Sequence, residues 1–217
     1  FPFRDGVDVL AAAGAKAAAS GVGLAIKGIA YDAVPTLPFG QPPEFLQKSP
    51  LGKIPLWEED GLCLPDSSVI LDYLEHKQPE PRIYPADAKQ RARALWYEEY
   101  ADSRLVEVLS TVFFQRFVNP RIFKKEPDTQ LVEKYLQEKI PPVFDYLERE
   151  LGDRDVLVGN HFSIADIAVT SPFVSFALAG ERPDKARWPR LAAYVDRQFA
   201  RPFYKPIVEG DLAAAGG

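Results

Sequence analysis

The stretch Ser49-Pro-Leu-Gly-Lys-Ile-Pro-Leu-Trp-Glu-Glu-Asp-Gly-Leu-Cys-Leu-Pro-Asp-Ser-Ser-Val-Ile-Leu-Asp-Tyr-Leu-Glu75 decides the fold. Ile54 to Glu58 and Leu62 to Leu64 read as two short strands, and Glu59-Asp60-Gly61 between them is a hairpin signal. Asp66 and Ser67 then open an apolar helical pattern that runs to about Lys77, with Val69, Ile70, Tyr73 and Leu74 as its expected buried stripe. Working outward towards the N-terminus, five prolines between Pro35 and Pro50 mark a loop, with one helical turn at Glu44 to Lys48. Ahead of it, Val7 to Leu10 reads as a strand, residues 15 to 27 as an Ala-rich helix stopping near Gly28, and Ile29 to Val34 as a second strand. The order is β-α-β, loop, β-β-α.

Downstream the character of the chain changes. Pro79-Glu80-Pro81 and Pro85 mark a linker over residues 80–86, which separates a first domain, residues 1–79, from a second, residues 87–217. In the second, Ala92, Leu95, Trp96, Tyr100, Val106, Leu109, Phe113 and Phe117 recur at helical spacing, which predicts one long helix stopped by Asn119-Pro120. Residues 131 to 151 form another helical pattern that Pro141-Pro142 should kink or break. Two more helices are predicted over residues 163–179 and 188–199. Ser163-Ile-Ala-Asp166 is a capping box flanked by Phe162 and Ile167 as a hydrophobic staple, so Asp166 is read as a structural cap. No strand is expected after residue 87. The fold class is α/β plus all-α.

Composition narrows the function. Of 217 residues 47% are hydrophobic and 26% charged, the balance of a water-soluble globular chain. A net charge of −5 without a Lys/Arg cluster argues against nucleic acid and anionic membranes as partners. Cys63 is the only cysteine, which excludes an internal disulfide and a Cys-x-x-Cys pair and fits a reducing cytoplasm. His76 and His161 lie far apart, so no metal is expected. Asp8 and Lys16 interrupt the apolar stretch before Ser20, against a secretory signal, and no run is long enough to span a bilayer. The chain contains no methionine, so its first residues need not be the native translation start.

The chemistry gathers around Pro55. A cis Ile54-Pro55 bond would turn the Ile54 backbone outward, where its N–H and C=O can pair with an extended, peptide-like ligand. The start of the following helix offers N–H groups and the Ser67 hydroxyl to a carboxylate, while Asp66 can meet an ammonium. A ligand with both an α-amino and an α-carboxyl group satisfies both.

SPLGKIPLWEEDGLCLPDSSVILDYLE resembles the second half of the thioredoxin-like domain of the cytosolic glutathione S-transferases, and GNHFSIADIAV resembles the capping motif of their helical domain. The resemblance covers about residues 29 to 205. It implies an N-terminal thioredoxin-like domain, a C-terminal helical bundle, a homodimer, and glutathione as co-substrate. By it, Ile54 would pair with the cysteinyl backbone next to a cis Pro55, and Asp66 and Ser67 would hold the γ-glutamyl end. Lys53 and Gln41 would face the glycyl carboxylate. Relatives activate the thiol with a Ser, Tyr or Cys after the first strand, but residues 10 to 19 contain none of these, and the thiol-activating residue is not identifiable. Ser20 lies inside the first helix, Lys16 reads as a solvated surface lysine, and Cys63 as a small core residue. Between the domains, Tyr97, Tyr100 and Phe113, with Trp96, Phe114 and Phe117, would give aromatic surface to a hydrophobic electrophile. Arg104 and Arg116 could meet an anionic one. The implied activity is thiolate transfer in cytoplasmic detoxification. Glutathione-dependent peroxide reduction, dehalogenation or isomerisation on the same site, and a non-catalytic interaction module, are the alternatives.

Overall fold

The structure is a computed structural model that describes residues 7–11, 15–36 and 39–216, without the side chains of residues 7–11, 35 and 214–216. It divides into two compact units, residues 1–83 and 84–217.

In the first unit, β1 (Val7–Ala11), α1 (Ala15–Lys27) and β2 (Asp32–Pro35) are followed by α2 (Pro43–Lys48), β3 (Leu56–Glu59), β4 (Leu62–Leu64) and α3 (Ser67–Lys77). The four strands form one sheet in the order β2-β1-β3-β4, with β1 parallel to β2 and antiparallel to β3, which is antiparallel to β4. This is the thioredoxin-like arrangement. Asp60 and Gly61 both adopt positive φ at the hairpin tip, as a two-residue turn requires. The second strand starts three residues later than expected. Gly28 N–H donates to Ala25 and Ile29 N–H to Leu24, so these residues close the C-terminus of α1 instead of opening β2.

The stripe expected on α3 is also shifted. Ile70, Leu71 and Leu74 are buried, but Val69 is 50% exposed. Tyr73 instead donates its hydroxyl to Glu59 Oε2 at 2.8 Å, and Lys77 pairs with the same carboxylate, so this flank of α3 is tied to β3 by polar contacts. The inward face packs on α1 where Gly23 lies. A Cβ there would stand 2.0 Å from Leu71 Cδ2, so any larger residue has to displace the buried Leu71 side chain. Below this contact, buried Lys27 donates to Glu75 Oε2 (2.7 Å), Gln78 O (2.7 Å) and Pro81 O (3.1 Å). Glu75 in turn accepts from Ile83 N–H.

The second unit is helical throughout its described residues. A continuous helical run over residues 88–123 (α4) contains two π-helical stretches, Ala101–Leu105 and Phe114–Phe123. It therefore passes Pro120, where termination was expected. It ends at Lys124, whose left-handed backbone (φ 54°) lets its N–H reach Asn119 O. Its buried ridge is Ala94, Tyr97, Ala101, Leu105, Val108, Leu109 and Val112, which keeps Leu109 of the expected stripe but is otherwise offset from it, while Leu95 and Trp96 are exposed. The next run, residues 129–151 (α5), is unbroken by Pro141-Pro142 because the π-helical stretch Tyr135–Lys139 precedes them. Ile140 N–H bonds five residues back to Tyr135 O, and the wider turn accommodates the proline rings.

The central helix α6 (Ile164–Leu178) is buried almost all round and flanked by α7 (Pro189–Phe199). A final helix, α8 (Lys205–Gly216), was not read from the sequence. The capping box at Ser163 is present, and Asp166 does more than cap. Its carboxylate is fully buried and accepts from Leu157 N–H (2.9 Å), Ser163 N–H (3.0 Å) and Tyr194 O–H (2.8 Å).

Candidate functional site

Three chain segments converge at one edge of the sheet. Trp57 faces Leu64 and Glu58 faces Cys63, and continuing that register by two places sets Pro55 against Asp66. On the other side of β3, Leu10 faces Leu56, so the end of β1 reaches the same end of the sheet. The first turn of α3 thus starts beside the Ile54-Pro55 segment, and Lys16 in the first turn of α1 reaches Asp66 there.

The loop that carries Pro55 is held from within. Buried Ser49 donates its hydroxyl to Lys53 O (2.8 Å) and accepts from Lys53 N–H (3.1 Å), and Ser49 O accepts from Gly52 N–H (2.8 Å). Gly52 has φ +62°, and a Cβ on it would meet Gln41 Oε1 at 3.0 Å, so this position needs glycine and Gln41 lies beside the loop. Lys53 is exposed next to it. The Ile54-Pro55 bond is cis. Ile54 N–H and C=O have no hydrogen-bond partner among the described residues, which leaves the edge before β3 open to an added strand. Ser49 was not singled out by its sequence. A serine three residues before a glycine in a Pro-containing turn is the signal that could have found it.

At the start of α3, Asp66 is the N-cap. Its Oδ1 accepts from Ser68 N–H (2.9 Å) and Val69 N–H (3.4 Å). These two donors were expected to face a ligand carboxylate and are instead taken by the protein's own side chain. Ser67 is buried beneath the cap. The second oxygen, Oδ2, lies 3.3 Å from Lys16 Nζ. Lys16 is therefore a partly buried partner of Asp66, not a solvated surface lysine. The signal for it was available in one respect: a cation in the first turn of a helix opposes the helix dipole and needs a compensating anion.

Ser20 lies within α1, is 1% exposed, and its Oγ has no partner among the described residues. Its burial keeps it from acting on a bound thiol. Cys63, in β4, is half-buried rather than a core residue. Of the aromatic residues on α4, Tyr97 is fully buried and donates to Glu150 Oε2 at 2.9 Å, so it packs the interior of the helical unit. Burial, then the bond to Glu150, pushes its phenol up to about 12. Tyr100 and Phe113 are half-buried and keep part of their surface accessible. Burial also pushes the Tyr100 phenol up to about 12, so neither tyrosine supplies a phenolate near neutral pH. Trp96 donates its ring N–H to Tyr146 (2.9 Å), and Arg104 and Arg116 pair with Glu107 and Glu181. Among the described residues, no cluster of His, Cys, Asp or Glu could hold a metal ion, and no helix is long and apolar enough to cross a membrane.

Comparison with known proteins agrees with this architecture. Residues 22–82 match the family Glutathione S-transferase, N-terminal domain, and residues 90–197 match Glutathione S-transferase, C-terminal domain. The chain belongs to the glutathione S-transferase family. It is 26% identical over 179 residues to a probable glutathione S-transferase, GSTF2, of Oryza sativa subsp. japonica, covering 81% of this chain and 82% of the relative. It is also 33% identical over 129 residues to elongation factor 1-gamma-A of Xenopus laevis, covering 59% of this chain but 27% of that protein. Among solved structures, a glutathione S-transferase of Methylobacterium radiotolerans in complex with glutathione sulfonate superposes with a TM-score of 0.76. That match is 28% identical and covers 93% of this chain and 94% of that one.

Proposed function

We propose that this chain is a glutathione transferase that binds glutathione along the Ile54-Pro55 edge and directs its thiolate at an electrophilic small molecule. The observation that carries the reading is the Ile54 backbone, which has no hydrogen-bond partner among the described residues, next to Pro55, which the continued β3–β4 register sets against Asp66. An extended γ-glutamyl peptide would add to that edge, its cysteinyl backbone pairing with Ile54 and its glutamyl end at Asp66 and Ser67. Lys53 and Gln41 would receive the glycyl carboxylate. The hydrophobic electrophile would use Tyr100 and Phe113. By analogy with its family, the chain would work as a cytoplasmic homodimer in detoxification. A structure of a relative in complex with glutathione sulfonate supports the ligand.

A second reading is a glutathione-binding module without turnover. It is favoured by one observation: no hydroxyl or thiol occurs in residues 1–19, and Ser20 is buried. A thiol of pKa about 8.5 is only a few per cent ionised at neutral pH, so a chain lacking a donor for the thiolate would bind without reacting efficiently. Titration calorimetry with glutathione followed by an assay with a chloronitrobenzene electrophile separates the readings. Binding with turnover supports transfer, binding without turnover leaves the module, and no binding overturns both.

A further inference from the structure

We propose that the helical unit holds a binding site of its own for a small phosphate monoester. Its place is a cavity of about 510 Å3 whose lining includes Arg154, Asp155, Asn160, His161, Phe162 and Arg201. The segment between α5 and α6 supplies one wall, and the turn that follows α7 supplies Arg201.

Three observations carry it. First, Arg201 is held in place but not neutralised. Its guanidinium lies 4.8 Å from the centre of the Phe162 ring and 5.9 Å from that of Phe203, and its Nε donates to Gln198 Oε1. Fully buried Gln198 donates in turn to Asp155 O at 2.9 Å, which ties the arginine to the opposite wall. Neither terminal nitrogen of Arg201 has a hydrogen-bond or ion-pair partner among the described residues. Asp166 feels its charge but is buried and committed to Leu157, Ser163 and Tyr194. A guanidinium with a fixed plane and two free nitrogens is preorganised for paired bonds to a tetrahedral oxyanion.

Second, the cavity is positive. Arg154 donates to the carbonyls of Glu150, Leu151 and Leu157 and to no carboxylate, which leaves one N–H on each of its terminal nitrogens. Asp155 is drawn to Arg197 at 3.3 Å. Closing the end of α5 accounts for Arg154; no such contact accounts for Arg201, in a chain of net charge −5. Third, the space exceeds what an inorganic ion needs and falls in the range of small-molecule sites, roughly 300–1,000 Å3. Asn160 and His161 are exposed and their side chains have no partner among the described residues, so they can bond a polar body, while half-buried Phe162 offers it an apolar surface.

The test uses the full chain with phenyl phosphate, phenol and inorganic phosphate as probes, read by titration calorimetry and by amide chemical shifts. Phenyl phosphate should bind about tenfold or more tightly than phenol, the scale of one charge-assisted contact, and several-fold more tightly than inorganic phosphate. Shifts should gather in residues 154–162 and 198–203. Arg201→Met keeps an unbranched stem over the two rings and should weaken phenyl phosphate about tenfold, with glutathione affinity unchanged. Should that chain fail to fold, Asn160→Ala with His161→Ala, at two exposed positions, should lower phenyl phosphate towards the affinity of inorganic phosphate. Phenyl phosphate bound no better than phenol, shifts gathered elsewhere, or affinity unchanged in the folded variants would each overturn the proposal. Inorganic phosphate bound as tightly as the ester would overturn it as well, since the cavity would then hold an ion and no organic body.

Discussion

Two aspartates at two helix starts, Asp66 as the N-cap of α3 and Asp166 three residues past the Ser163 N-cap of α6, have different uses. Asp166 is sealed in the helical unit, with Leu157, Ser163 and Tyr194 all donating to it. Asp66 caps α3 with one oxygen and keeps the other at a partly solvated lysine. Burial, the larger influence at Asp166, pushes its carboxyl up, and the surrounding donors and the nearby Arg201 hold it back only in part. A carboxylate enclosed in this way is an architectural group: every acceptor site is committed and no ligand can reach it. The aspartate with a spare oxygen at the surface is the one available for binding. Capping motifs alone do not distinguish these cases; enclosure does.

The comparison can be broken most easily at Asp166. Asp166→Ala should cost about 3–5 kcal/mol in urea unfolding, because three buried donors lose their acceptor together, while folded molecules keep their glutathione affinity. Equal losses of affinity and stability would mean the two sites are not independent. Next in size is Gly23→Ala, which pushes a methyl into buried Leu71 and should cost about 1–3 kcal/mol through the α1–α3 contact that supports Asp66. A thermal melt unchanged from wild type would show that this contact is loose. Asp66→Ala should cost only about 1 kcal/mol as a lost cap, yet lower glutathione affinity by tenfold or more. Asp66→Asn, which retains a cap acceptor, should spare stability and still lose affinity; if affinity survives in both, Asp66 is a cap like its counterpart.

The smallest effect concerns acid. Because the Asp166 carboxyl is raised in the folded chain, protonation favours the native state. Its contribution to stability is complete below the ordinary carboxylate range and declines as pH rises through the raised value. Measured from about pH 4 upward, the stability difference between wild type and Asp166→Asn should therefore shift against wild type. A flat difference would mean Asp166 is not held above its ordinary range.

Much of this was readable in residues 49–75, where a two-residue turn, a cap and a helical period each leave a local mark. The order of the seven strands and helices of the first unit was readable as well, and so were the cis-Pro55 turn and the Asp66 cap. What was not readable depended on distance along the chain. Lys16 and Asp66 are fifty residues apart, and Lys27 and Glu75 forty-eight, so no local pattern announces either pair. Helical faces were misassigned where aromatic side chains lie on the flank: Trp96 counts as apolar in a periodicity but satisfies its ring N–H at Tyr146 near the surface. The prolines at 120 and 141 were read against α-helical geometry, which the π-helical turns relax.

The buried ammonium of Lys27 sets a rule for dissecting the molecule. Pro81 and Ile83 fall in the stretch read as linker and Gln78 just ahead of it, yet Gln78 O and Pro81 O complete the shell of that ammonium, and Ile83 N–H completes the shell of its carboxylate partner. A fragment ending at Lys77 would retain every strand and helix of the first unit and still leave a cation in the interior with most of its acceptors removed. An excised first unit should therefore be cut no earlier than Ile83, and a purification tag or fusion partner belongs beyond that point.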